Sequence, residues 1–87
     1  MSEPRDTRLK RLRMRSMRRG IKEMDLILTT YADRHLAEMD AAGLDLYDAL
    51  LNQPDQDLYG WLTGQGPAPD RFAALLADIG QTFQKPG

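Results

Sequence analysis

Apolar residues in this chain recur at intervals of three and four, and alternation of apolar with polar residues never runs beyond four positions. A half-buried strand needs a period of two and an amphipathic helix a period near 3.6, so the pattern restricts the fold to packed helices. Glycine and proline cut the periodic stretches into short pieces, and no internal repeat appears. At 87 residues there is material for one domain and one core. Cysteine is absent, which excludes disulfides, thiolate zinc sites and thiol nucleophiles, fits a reducing compartment and leaves stability to helix packing. The expectation is an all-α fold, a compact bundle of about five helices over residues 7–84, with a flexible N-terminal tail at 1–6 and a C-terminal tail at 85–87.

The first helix is expected over about Arg8–Arg18, with Leu9, Leu12 and Ser16 near helical spacing and Met14 and Met17 on an adjacent stripe. Gly20 is expected to end it in a sharp corner, since glycine most readily takes the left-handed conformation of a helix stop. A second helix then runs from Ile21 to about Met39 on the stripe Met24, Ile27, Leu28, Tyr31 and His35, widened by Ala32, Leu36 and Met39. Asp40 is placed to cap a third helix over Ala41–Asn52, with Leu44, Tyr47, Leu50 and Leu51 facing inward. Asp55 is expected to N-cap a short fourth helix that buries Leu58, Trp61 and Leu62 and stops at Gly64. Beyond a Gly/Pro loop, a fifth helix opens at Asp70 and carries Phe72, Leu75, Leu76, Ile79 and Phe83 at core spacing.

Net charge is −1, yet nine of the twelve Lys and Arg fall between Arg5 and Lys22, and ten of the thirteen Asp and Glu from Asp25 onward. A chain divided in this way either steers toward an acidic surface or pairs one end of its own fold with the other. No apolar run approaches the ~20 residues that cross a bilayer, so membrane insertion is not expected, nor is secretion by a recognisable signal.

Sites for chemistry are scarce. His35 is the only histidine, lies on the apolar stripe of the second helix and has no second histidine or cysteine with which to share a metal. No metal site and no Ser-His-Asp set is assigned. Asp55 and Asp57 lack the glycine and bidentate glutamate of a calcium loop, and Gly64-Gln65-Gly66 lacks the strand before it and the Gly-Lys after it that phosphate cradles use. No catalytic residue is named, and no cofactor is expected to be bound by the chain itself.

The informative stretch is Arg18-Arg19-Gly20-Ile21-Lys22-Glu23-Met24-Asp25, where charges crowd around a glycine. Arg19 and Glu23 are four positions apart and would share a face if both lay in the first turns of the second helix. An exposed pair of that kind contributes only about 0.3–0.5 kcal/mol, too little to account for the corner. A glycine lets another backbone approach closely, and a flanking guanidinium and carboxylate can each find a partner across an interface. The stretch reads as a recognition surface.

These residues resemble a known family, the small succinate dehydrogenase assembly factors, the flavinylation factors of bacteria and mitochondria. RSMRRGIKEMDLIL carries the family's RGxxE signature as Arg19-Gly20-Ile21-Lys22-Glu23, followed by Met24-Asp25. PDQDLYGWLTGQGPAPD, Pro54 to Asp70, is similar to the family's helix of aspartate, leucine, aromatic residue and tryptophan with a Gly/Pro turn after it. RGxxE alone is three fixed residues; both blocks, in order and at the right separation from about Leu9 to Phe83, are far more specific. Gly43 and Gly60 are looser positions within the match.

The resemblance implies a five-helix protein, not an enzyme, that binds the flavoprotein subunit of succinate dehydrogenase, of fumarate reductase, or of both, and promotes covalent attachment of FAD. The flavin 8α-methyl carbon becomes bonded to a histidine of that partner, so nucleophile and cofactor both belong to the partner and the helper supplies positioning. Arg19, Gly20 and Glu23 would then form the centre of the docking face, with Arg18, Lys22 and Asp25 flanking it and Asp57 and Trp61 as a possible extension. The implied location is the cytoplasm of a bacterium, or the mitochondrial matrix in a eukaryote. The alternative is a regulatory, antitoxin-like or nucleic-acid-binding protein using the Arg8–Arg19 helix. Against it, the chain is slightly acidic overall and no aromatic residue lies among the arginines to stack on bases.

Overall fold

Five α-helices follow one another in the computed structural model, which describes residues 3–83: α1 (Arg5–Arg15), α2 (Lys22–His35), α3 (Ala41–Leu51), α4 (Asp55–Leu62) and α5 (Asp70–Phe83). A 3-10 turn, Leu36–Glu38, continues α2, and no strand occurs among the described residues. The all-helical expectation holds, with shifts at the ends that have local causes. α1 opens at Arg5, three residues earlier than its periodicity suggests, because Pro4 takes the N-cap position and Asp6 lies in the positive first turn. It also closes earlier, at Arg15. The second helix stops short of Met39, since that residue is extended and leads into the Asp40 cap.

Two caps form as expected. The Asp40 carboxylate accepts the Gly43 N–H at 2.8 Å, which satisfies one of the donors left over at the start of α3. At the end of α4, Gly64 takes φ +78°, and the N–H groups of Gly64 and Gln65 donate to the carbonyls of Trp61 (3.3 Å) and Gly60 (2.8 Å). That pair of bonds is a Schellman motif, and its left-handed position disfavours any residue with a Cβ.

The core lies where the stripe of α2 (Met24, Ile27, Leu28, Tyr31 and Ala32) meets Phe72, Leu75, Leu76 and Ile79 of α5. Leu44, Tyr47, Leu50 and Leu51 of α3 and Leu58 of α4 complete it. α1 contributes a single row: Leu12 is buried, Leu9 partly, while Met14 points to solvent and Met17 is largely exposed. The expected joint burial of Leu58, Trp61 and Leu62 is only partly realised. α4 is two turns long and sinks one side chain, Leu58, leaving Trp61 and Leu62 half-buried at the edge. The Trp61 ring centroid lies 6.3 Å from that of Phe72. Phe83 ends α5, but its side chain lies outside the described residues.

His35 joins α2 to α5: its ring sits 4.6 Å from the Tyr31 ring, and Nε2 lies 3.2 Å from Thr82 Oγ1. Next to it the Tyr31 hydroxyl donates to Asp78 at 2.7 Å. Burial, followed by that hydrogen bond to a carboxylate, raises the Tyr31 hydroxyl well above its ordinary value.

Ser16 is the one buried polar residue among those described, and it carries a short chain of hydrogen bonds. Its hydroxyl donates to the Leu12 carbonyl at 2.9 Å, leaving its oxygen to accept from the Tyr47 hydroxyl at 2.6 Å. Burial pushes the Tyr47 hydroxyl up to about 12, against the opposing pull of the Arg19 and Arg15 guanidiniums. The two ends of this chain are unequal. Ser16→Ala strands a buried phenol donor and is expected to cost about 1–3 kcal/mol, whereas Tyr47→Phe leaves Ser16 still bonded to Leu12 and is expected to cost about 1 kcal/mol. Urea unfolding midpoints of the two variants should fall in that order.

Candidate partner-docking site

The corner between α1 and α2 is built by a left-handed residue, but not the expected one. α1 ends as the Ser16 N–H reaches back to Leu12 (3.0 Å) and Arg13 (3.1 Å) and the Met17 N–H to Met14 (3.1 Å). The chain then reverses at Arg18, whose φ is +55°. Gly64 is the only described glycine with positive φ, so Gly20 is not the left-handed stop. A left-handed residue with a side chain costs about 1–2 kcal/mol and persists only where neighbours hold it. Here Asp25 does so: its Oδ2 accepts the Arg18 N–H at 3.0 Å, and the Thr29 hydroxyl lies 3.3 Å from both Asp25 Oδ1 and the Ser16 carbonyl.

Arg19 then turns inward instead of toward Glu23. Its Nε donates to Asp55 Oδ1 at 2.7 Å, Nη1 to the Arg15 carbonyl at 3.1 Å, and Nη2 to the carbonyls of Leu51 (3.3 Å) and Gln53 (3.5 Å). Arg15 and Leu51 are the last residues of α1 and α3, so one cation meets two helix C-termini whose carbonyls lack helical partners. Asp55, in the first turn of α4, sits where a helix favours negative charge. The pair is largely withdrawn from water, with side chains 12% and 17% exposed.

Arg19 is therefore not at the expected outward centre of the corner, and it does not pair with Glu23 either, because the backbone at Ile21 is extended (φ −114°, ψ 126°) and α2 begins only at Lys22. Asp55 is not the N-cap of α4 either. Pro54 holds that position, and the second carboxylate oxygen of Asp55 accepts the Gly20 N–H at 2.5 Å.

Once these bonds are made, Arg18, Gly20, Lys22 and Glu23 are exposed, Asp25 is half-buried with its carboxylate engaged, and Arg19 lies beneath the surface. Asp57 is exposed in the first turn of α4, two residues past the carboxylate that touches Gly20. Trp61 lies farther along α4 and lines a shallow groove with Leu62, Ala68, Leu76 and Ala77. The corner thus collects Arg18, Gly20, Lys22 and Glu23 at the surface, with Arg19 and Asp25 as internal fixings. One apolar residue escaped the sequence reading: Leu26, 61% exposed, lines a shallow depression with Lys22, Asp25 and Thr29. A leucine falling off the Met24, Ile27, Leu28, Tyr31 stripe was the available signal.

The other arginines of the basic segment pair within the fold, whereas Lys10 is exposed with no ion pair among the described residues. Arg8 reaches Asp45 at 2.5 Å; Arg11 reaches Asp48 at 3.1 Å and Glu3 at 2.9 Å; Arg15 reaches Asp48 and, at 2.6 Å, Asn52; Arg13 reaches Asp33 on α2 at 2.8 Å. Arg5 donates to the carbonyls of Ala37 (3.0 Å) and Met39 (2.7 Å). Arg8, Arg11 and Arg15 are one turn apart on α1, as are Asp45 and Asp48 on α3 and Asn52 at its C-cap, so the two rows interlock. Burial would push the Asp48 carboxyl up, but hydrogen bonds and charge from Arg11 and Arg15 outweigh it and hold Asp48 below the ordinary carboxylate range. The hydrogen bond from Arg11 likewise lowers Glu3.

Fold and site together define a small helical protein with one outward polar corner anchored from within; no cluster of metal-ligating side chains occurs among the described residues. The model of the family described as "flavinator of succinate dehydrogenase" matches residues 10–83, and the chain belongs to that family. It is similar to proteins named succinate dehydrogenase assembly factor 2, mitochondrial. Identity is 42% over 80 residues with that of Mycosarcoma maydis (92% of this chain, 34% of the relative) and 44% over 73 residues with that of Meyerozyma guilliermondii (80% and 54%). With that of Aedes aegypti it is 40% over 83 residues (88% and 52%). The chain spans between one third and about half the length of these relatives.

The row of ion pairs between α1 and α3 has a pH signature. Asp48 and Glu3 titrate lower in the folded chain than in the unfolded one, so their contribution is fully present above the unfolded values, about 4, and is lost as pH falls through the folded ones. Melting temperature should therefore be flat from pH 7 to about 5 and drop below about 4, and Asp48→Asn should flatten part of that drop.

Proposed function

We propose that this chain docks through the Gly20 corner onto the flavoprotein subunit of succinate dehydrogenase, of fumarate reductase, or of both, and promotes covalent attachment of FAD to that subunit without catalysing the step from a site of its own. One observation carries the reading: Arg18, Gly20, Lys22 and Glu23 face solvent while every bond that fixes their backbone is made inside the monomer. A surface held in this way loses little conformational freedom on binding, so more of its contact energy appears as affinity. Membership of the flavinator family and the names of the relatives support the choice of partner.

In this reading the FAD and the residue that becomes bonded to it are the partner's, and this chain contributes orientation. Holding a mobile part of a partner in its reactive arrangement can account for large accelerations without a catalytic side chain in the helper. Arg18 and Lys22 offer cations and Glu23 an anion to complementary groups, with Met17, Leu26 and Asp57 at the margin. The corresponding location is the bacterial cytoplasm or the mitochondrial matrix; the relatives are named mitochondrial.

The nucleic-acid alternative is less well supported. Arg8, Arg11, Arg13, Arg15 and Arg19 all point at carboxylates of this chain, and neutralised arginines release few counterions from a phosphate backbone.

Co-expression of the flavoprotein subunit with this chain, followed by in-gel flavin fluorescence, tests the reading. Gly20→Arg should reduce covalent flavin at least about tenfold, equivalent to about 1.4 kcal/mol of lost interaction, while circular dichroism shows an intact helical fold. Full flavinylation by a folded Gly20→Arg protein would remove the corner from the docking face.

A further inference from the structure

Why position 20 is a glycine has no answer in backbone conformation. Gly20 is not among the residues of positive φ, and it is exposed, so neither a left-handed turn nor close core packing demands it. The restriction comes from one atom. An ideal Cβ built on Gly20 would lie 3.1 Å from Asp55 Oδ2, tighter than an ordinary van der Waals contact, and among the described residues beyond its two chain neighbours no other heavy atom lies within 4 Å of it.

That oxygen has little freedom to retreat. Oδ2 accepts the Gly20 N–H at 2.5 Å, while Oδ1 of the same carboxylate is held by Arg19 Nε at 2.7 Å. Any movement that relieves a methyl group at position 20 lengthens one bond or both. The Arg19 fork is fixed in turn by the carbonyls of Arg15, Leu51 and Gln53, so the carboxylate cannot shift together with its cation. Asp55 thereby ties the backbone of the exposed Gly20 to the ends of α1, α3 and α4.

We propose that Asp55 is the positioning residue of the docking corner and that position 20 must be glycine because of the Asp55 carboxylate within this chain, not because a partner presses on the glycine. Only a carboxylate meets the requirement, since both oxygens accept from donors on consecutive residues. In an asparagine one of the two positions becomes an NH2 group facing another donor. The proposal rests on the docking reading but explains a different thing: what shapes the corner, as opposed to what meets it.

A double-mutant cycle separates the two. Wild type, Gly20→Ala, Asp55→Ala and the double variant are titrated against the purified flavoprotein subunit by calorimetry, with circular dichroism melts as a check on folding. Gly20→Ala and Asp55→Ala should each weaken binding at least about tenfold, and on the Asp55→Ala background Gly20→Ala should add no more than about a twofold loss, because the two changes damage one contact. The Gly20 amide proton supplies a readout that general destabilisation would not move: it should shift upfield in Asp55→Ala, with Asp55→Asn as a folded substitute should the alanine variant not fold. If Gly20→Ala costs the same factor on both backgrounds, the glycine is read by the partner and the proposal fails while the docking face stands. If all four proteins bind equally, the docking reading fails and takes the proposal with it.

Discussion

Three helix ends converge on the Arg19 guanidinium, and the arrangement of the molecule around its exposed corner depends on how that cation is satisfied. The last turns of α1 and α3 leave carbonyls without helical partners, and such groups near a core must be matched or hydrated. A planar guanidinium can address several of them at once while keeping Nε for a carboxylate; a lysine ammonium, a point charge on a flexible stem, lacks that fork. Asp55 completes the arrangement by balancing the charge and passing the constraint on to the Gly20 amide. A largely dehydrated ion pair is weak evidence for stability in general, because desolvation opposes attraction. Its value here is geometric: it fixes the path of a surface loop to the ends of helices that cannot move independently.

The same economy governs the basic segment. Arg8, Arg11 and Arg15 extend across to Asp45, Asp48 and Asn52, and Arg13 to Asp33, so much of the two-sided charge distribution is neutralised within the monomer. Each exposed bridge is worth little alone, about 0–1 kcal/mol, but the set shares side chains already ordered by one another. Arg18, Lys22 and Glu23 form a short mixed-charge patch with Leu26 and Met17 beside it. Such a patch suits recognition by shape and sign together, in which complementary charge orients an encounter and a small apolar contact secures it.

Local features were legible in the order of residues. The stripes Met24-Ile27-Leu28-Tyr31, Leu44-Tyr47-Leu50-Leu51 and Phe72-Leu75-Leu76-Ile79 are buried as their 3.6-residue periods require. Asp40 caps α3, and Gly64 closes α4 with its left-handed backbone. Each of these involves groups no more than seven positions apart. Tertiary context overrides the local pattern elsewhere: α4 is too short to sink Trp61 and Leu62 with Leu58, and the left-handed stop falls on Arg18, because the Asp25 carboxylate a turn into α2 accepts that residue's N–H.

The candidate site divides along the same line. That residues 18–25 form a charged corner between two helices, and that the chain resembles the flavinylation factors, followed from the order of residues alone, since both rest on a contiguous motif. Which of those charges face outward did not. Arg19 chose Asp55, thirty-six positions away, over Glu23, four positions away, and Asp55 left the capping role its place in the sequence offered. Nine basic and ten acidic side chains admit many pairings of similar Coulomb energy. Only packing of α1, α3 and α4 around the core places one guanidinium within reach of three carbonyls and a carboxylate together, and that coincidence in space carries no signature in the linear chain.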